Sequence, residues 1–177
     1  MRSCFELSNG VQMPKIGFGT YKSTDGSDEC VISQALEAVY RLLDTAAAYK
    51  NEEQVGKAIT RSGISRKEIF LTSKVWKTDL GYENTKTSFQ ESLERLQTDY
   101  LDLFLLHWPK PDPEFADWKE LDRESWRALE ELYKEGKVRA IGVSNFLPHH
   151  LINIQKTAEI QPMVDQLELH AGYLQEA

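Results

Sequence analysis

Leu101-Asp102-Leu103-Phe104-Leu105-Leu106-His107 is an apolar run that ends in an imidazole. With so little polar alternation it reads as a strand covered on both faces, the environment of a parallel sheet. The construction recurs on either side. Tyr40-Arg-Leu-Leu-Asp44, Ile69-Phe-Leu-Thr-Ser-Lys74 and Ala140-Ile-Gly-Val-Ser144-Asn145 each close on polar groups, and Gln166 lies within Met163-Val-Asp-Gln-Leu167. The carboxyl ends of parallel strands share one edge of a sheet, so these residues are expected to meet there. One polar residue at a strand exit is ordinary loop chemistry. Five in register are not.

Working outward, the expected strands are Ile16–Phe18, Tyr40–Leu43, Ile69–Thr72, Leu101–Leu106, Val138–Val143 and Met163–Leu167, with helical patterns between them. Ser27 caps the first helix, with Asp28 and Glu29 in its first turn and Val31, Ile32, Ala35, Leu36 and Val39 as its buried stripe. Asn51 caps the second, which turns Val55, Ala58 and Ile59 inward and stops at Gly63. Phe89, Leu93 and Leu96 mark a third helix. Trp126, Leu129, Leu132 and Tyr133 mark a fourth that ends at Gly136. Pro148 opens a fifth, ahead of Leu151, Ile154 and Ala158. Near the start of the chain, Asn9-Gly10 between two short runs signals a hairpin.

A hairpin, five strand–helix units and a sixth strand leave two architectures, a doubly wound open sheet or a (β/α)8 barrel. The open sheet wants a glycine-rich phosphate turn after its first strand. Gly17-Phe18-Gly19 is too short for that motif, so the barrel is favoured, as one partial domain over residues 1–177. A net charge of −7 without a basic block argues against a nucleic-acid partner. No apolar run suits a membrane span or a secretory signal. Cys4 and Cys30 form neither a disulfide framework nor a CxxC pair, in keeping with a cytoplasmic protein.

Asp44 and Lys74 at neighbouring strand ends are costly to bury unless they pair. Paired, they present an ammonium to Tyr49, which lies five residues beyond Asp44 and can arch back over the barrel mouth. A nearby cation is expected to lower the phenol's pKa toward the range of general acids. His107 can then orient a substrate oxygen toward the phenol. Such a set protonates a carbonyl oxygen and needs a hydride cofactor for the other half of a reduction.

Arg41-Leu-Leu-Asp44-Thr-Ala-Ala-Ala-Tyr49, Leu71-Thr-Ser-Lys74-Val-Trp76, Leu105-Leu-His107-Trp108-Pro109 and Gly136-Lys-Val-Arg-Ala-Ile-Gly-Val-Ser144-Asn145-Phe146 resemble, in order, four motifs of the aldo-keto reductases. The resemblance implies NADPH-dependent reduction of a small aldehyde or ketone, with NADH a less favoured cofactor. It implies Tyr49 as proton donor, Asp44 and Lys74 as its tuners and His107 as the carbonyl orienter. It places Ser144, Asn145 and Gln166 on the nicotinamide carboxamide, with Gly19, Thr20, Tyr21 and Asp44 close to the cofactor. Tyr21, Trp76, His107 and Trp108 would line the substrate pocket, and no metal is implied. Lys50 stands where the family usually has glycine, Asp165 where asparagine is usual, and Ala171-Gly172 where a proline is expected after His170.

A (β/α)8 barrel takes about 250 residues, and this sequence stops soon after its sixth strand. The last two strands and the family's site for the adenosine phosphate are therefore expected to be missing. The full-length form is expected to be a monomer, and the shorter chain to self-associate through apolar sheet edges and to bind NADPH weakly. One alternative is a non-catalytic interaction subunit on the same fold, as the potassium-channel β subunits resemble reductases, or an inactive truncated product. Another is a metal-dependent barrel hydrolase built on His107, His149, His150 and His170. That reading wants an HxH pair at a strand end, which the sequence lacks.

Overall fold

The computed structural model describes residues 3–24, 30–109 and 117–175. The expected cap at Ser27 and first turn at Asp28-Glu29 lie outside these residues. A short antiparallel hairpin, β1 (Cys4–Glu6) and β2 (Gln12–Pro14), comes first. Its loop closes through Gly10 N–H to Leu7 C=O and Leu7 N–H to Val11 C=O, with Gly10 at φ +84°. That is the left-handed position that Asn-Gly supplies without strain.

Six parallel strands follow in sequence order. They are β3 (Phe18–Gly19), β4 (Leu42–Asp44), β5 (Phe70–Val75), β6 (Leu103–Leu106), β7 (Ile141–Ser144) and β8 (Asp165–Gln166). Helices α1 (Cys30–Glu37), α2 (Glu52–Arg61), α3 (Tyr82–Leu96), α4 (Trp118–Lys134) and α5 (Pro148–Gln155) lie between successive strands. The sheet curls into an open part of a (β/α)8 barrel, with β3 and β8 at its edges. Among the described residues no helix is long and apolar enough to cross a membrane.

The pleat sorts each strand into two columns. Leu43, Leu71, Val75, Phe104, Leu106, Ile141 and Val143 join the large cluster that faces the helices. Leu42, Phe70, Leu103, Leu105 and Ala140 form a second cluster on the concave face, floored by Leu7, Val11 and Met13 around the hairpin. Counting in twos up the concave column from these apolar residues leads to Asp44, Lys74, His107 and Ser144, and from Val164 to Gln166. Alternation alone therefore puts the polar strand ends on the concave side at one rim.

The other rim is closed by ion pairs. Asp102 accepts hydrogen bonds from Arg66 (2.8 Å), from Arg139 (2.6 Å) and from the Leu71 backbone N–H (3.0 Å). Asn9 of the hairpin donates to the Arg139 carbonyl at 2.8 Å. Among the helices, α2 lies tight against the end of α3. A methyl group on Gly56 would stand 2.6 Å from the Leu96 carbonyl oxygen, so only glycine fits there.

Several expected details differ, beginning with Ile16, expected at the start of a buried strand, which lies before β3 and is exposed. Ile32, Ala35 and Leu36 are buried as read, but Val31 and Val39 are exposed. Helix α1 stops at Glu37, and Val39 sits at φ +72° in the turn toward β4, out of phase with the helical stripe. Asn51 does stand at the start of α2, yet its side chain does not cap the helix. The side-chain oxygen instead accepts from Thr45 Oγ1 (2.8 Å), and the amide nitrogen donates to the Thr20 carbonyl (2.7 Å).

Candidate active site

At the carboxyl rim, Lys74 is fully buried and its ammonium contacts Asp44. It also donates to the Thr45 carbonyl at 2.9 Å and lies 3.5 Å from the Tyr49 hydroxyl. Tyr49 ends a single 3-10 turn (Ala47–Tyr49) that leaves β4 and folds back over the mouth. Lys50 follows in the left-handed region at φ +55°, where the glycine usual in the family would be less strained. The Tyr49 ring packs edge-on against His107 at 5.5 Å, and His107 against Trp76 at 5.1 Å. Tyr21 packs against Tyr49 at 4.9 Å.

The next two strands complete the rim. Ser144 Oγ donates to the Gln166 carbonyl at 2.8 Å, and Gln166 Nε2 donates to Asp44 Oδ2 at 2.8 Å. Asn145, at φ +61°, donates to the His107 carbonyl and to Ser144 Oγ, both at 3.0 Å. Asp44, Tyr49, Lys74, His107, Asn145 and Gln166, all singled out in the sequence, are thus joined by direct contacts, with Tyr21 and Trp76 packed on their rings. Ser144 bonds directly to Gln166 and Asn145 and belongs to the same set.

A cleft of about 1130 Å³ opens above this rim, lined among others by Tyr21, Tyr49, Trp76, His107, Trp108 and Gln166. The aromatics are not core: Tyr21 and Trp108 are 61% and 42% exposed. Thr20 directly follows β3. Its side chain is buried beside Asn51, and neither it nor Gly19 lines the cleft.

The electrostatics correct one expectation. Tyr49 is pushed up to about 12 by burial, then by the charge of Asp44 and by Tyr21, instead of being lowered by Lys74. The reason is that Lys74 is already matched by Asp44, so it adds little net positive field at the phenol. Tyr49 therefore keeps its proton. Burial and then Lys74 hold His107 down to about 4, which leaves it neutral. Its Nδ1 is buried with no partner among the described residues, so a molecule in the cleft meets the other edge of the ring. Burial lowers the pKa of Lys74, and Asp44 and Glu52 oppose that shift.

Behind this set is a layer that the sequence reading did not single out. Glu52 is 1% exposed. It accepts from Ser73 Oγ at 2.5 Å and from Arg95 Nε at 2.8 Å. The available signal was the polar run Lys50-Asn-Glu-Glu-Gln54, which reads as a solvated first turn of a helix. The rings of His149 and His150 lie 3.8 Å apart, tilted at 49°, at the start of α5, where His150 Nδ1 accepts the Leu147 N–H. Among the described residues no group of three or more metal-ligating side chains is found.

The aldo/keto reductase family profile matches residues 15–175. The chain belongs to this family. It is 52% identical over 171 residues to glyoxal reductase of Bacillus subtilis (strain 168), covering 96% of the chain and 59% of that protein. It is 40% identical over 165 residues to methylglyoxal reductase DkgA of Escherichia coli (strain K12), covering 93% and 57%. Among solved structures, an aldo/keto reductase from Brucella melitensis superposes with a TM-score of 0.91 at 43% identity, over 99% of the chain and 66% of that one. An aldo-keto reductase from Bombyx mori, in complex with NADP, superposes at 0.82 with 32% identity, over 95% and 58%. The chain therefore spans about three-fifths of the length of its curated relatives.

Proposed function

We propose that the protein reduces a small aldehyde or ketone to an alcohol with NADPH. The observation that carries this reading is the buried Lys74 ammonium, in contact with the Asp44 carboxylate and 3.5 Å from a protonated phenol that neutral His107 packs against. His107 holds the substrate oxygen by a hydrogen bond. Tyr49 gives its proton to that oxygen as negative charge develops there. Lys74 stabilises the phenolate left behind, and Asp44 keeps Lys74 in place. Solvent in the open cleft returns the proton to Tyr49. Tyr21, Trp76 and Trp108 provide an apolar aromatic wall for the rest of the substrate.

The rim also suits a nicotinamide ring. Among the described residues no hydrogen bond uses Asn145 Oδ1 or Gln166 Oε1, so both can accept from a carboxamide N–H, with Ser144 beside them. Bound there, the cofactor would supply the hydride that the side chains cannot. The Bombyx mori relative solved with NADP favours the phosphorylated form.

The test is Tyr49→Phe in the complete protein, assayed with glyoxal and methylglyoxal, the compounds named for two relatives. Reduction should fall about 10²–10⁴-fold, while NADPH still quenches tryptophan fluorescence as in the parent. A variant as fast as the parent would remove Tyr49 as the donor.

A further inference from the structure

Glu52 is a buried ionisable group that the proposed chemistry does not use. It lies at the first position of α2, on the helix side of the sheet, and its carboxylate is fixed from two directions. Ser73 donates to one oxygen from β5, and Arg95 donates to the other from α3. Ser73 is the chain neighbour of Lys74, and alternate residues of a strand face opposite ways. The strand is therefore gripped on one side by Glu52 while its next residue presents the ammonium to the concave side.

We propose that Glu52, locked between Arg95 and Ser73 behind β5, is a positioning residue that holds Lys74 charged and facing the Tyr49 phenol. The role rests on reading Lys74 as the cation that serves Tyr49. Lys74 is surrounded by Asp44 from β4, the Thr45 carbonyl and Tyr49 from the turn after it, and His107 from the end of β6. Of the carboxylates, Asp44 at the rim and Glu52 behind the sheet both favour the ammonium. The Glu52 side chain is 1% exposed, whereas that of Arg95 is 38% exposed and also meets Glu91 at 3.3 Å. Solvent screens the arginine more than the carboxylate, so the pair's field at the strand is net negative. A purely structural tie between α2, β5 and α3 would hold the backbone and leave the lysine's titration where it was.

The experiment follows the side-chain resonances of Lys74 against pH by NMR in the full chain, with circular dichroism to confirm folding. Glu52→Gln keeps the shape and removes the charge: its amide oxygen can still accept from Arg95, while its amide N–H can donate to Ser73 Oγ in place of the bond it accepted. Lys74 should then lose its proton at lower pH than in the parent. Arg95→Gln, which strips the carboxylate of its cation, should move the same titration to higher pH. Glu91→Gln, an exposed partner of the same arginine, should leave it in place. A folded Glu52→Gln chain with the parent titration overturns the proposal. If that variant does not fold, an Arg95→Gln chain with no upward shift overturns it instead. In the complete protein, the alkaline limb of the carbonyl-reduction profile should move with the lysine. For Glu52→Gln that is a loss of rate above neutrality of up to about tenfold, with acidic rates kept. Because the NMR titration needs no turnover, a protein that reduces no carbonyl would sink the reading of the site while the hold of Glu52 on Lys74 could still be measured.

Discussion

The two rims of the sheet each pair a carboxylate with cationic side chains, two at one rim and one at the other, and they are built in opposite ways. At the amino rim one carboxylate, Asp102, meets two guanidinium groups and a backbone N–H. Arg66 is further fixed by Thr98 Oγ1, by the Ile69 and Tyr100 carbonyls and by the Tyr100 ring. Arginine cannot give up its proton, and its planar fork suits fixed carboxylate geometry, so this rim is a clamp. At the carboxyl rim the cation is a lysine, whose charge responds to its surroundings, and Nδ1 of His107 has no partner among the described residues. The fold thus sets an arginine clamp at one rim and, at the other, a lysine whose charge can respond to its surroundings.

The contrast breaks most readily at Asp102. Asp102→Ala leaves two arginines around an empty site and should cost about 3–5 kcal/mol in urea unfolding. The folded fraction should keep the native contacts at the other rim. Comparable stability with damage only at the carboxyl rim would invert the assignment of clamp and reactive site. A smaller effect is expected at His107. Its folded pKa of about 4 lies below the ordinary 6.5. Between these values the unfolded chain binds a proton that the folded imidazole refuses. Stability should therefore fall as pH drops from 6.5 toward 4 and be fully present above 6.5, with a total loss of about 1–3 kcal/mol. Urea midpoints at pH 7 and 5 check this, and His107→Gln should flatten the difference. Asn9→Ala, which removes the hairpin's bond to Arg139, should cost about 1 kcal/mol by thermal unfolding and leave carbonyl reduction unchanged. Least change of all is expected when both charges of the reactive pair are replaced together. Asp44→Leu with Lys74→Met should leave stability within about 1 kcal/mol of the parent or raise it, while activity disappears. A large loss of stability would mean that this pair, too, is a clamp.

Much of this was legible in the sequence because burial and period act on single strands. Apolar runs with polar ends gave the strand order and the shared rim, and the cost of burying Asp44 and Lys74 apart predicted their pairing. Two features were not legible. The direction of the Tyr49 shift depends on how far Asp44 cancels Lys74, which is a matter of ångströms and not of residue types. The Glu52 and Asn51 contacts were hidden because acidic and amide residues at a helix start have a local explanation, capping and dipole, that needs no distant partner. Only the docking of α2 shows that both side chains turn toward the sheet instead.

Gly56 gives that docking a further meaning. It lies one helical turn beyond Glu52 on the same face of α2, and its missing side chain sets the separation between α2 and the end of α3. It works as a shim. A single added carbon there would push the helix outward, with Glu52 riding on it, and stretch the 2.8 Å bond to Arg95 at the far end of the lever. A residue with no functional group of its own thereby acts on the alignment of β5, and a screen for loss of activity would score it beside the chemistry it never touches.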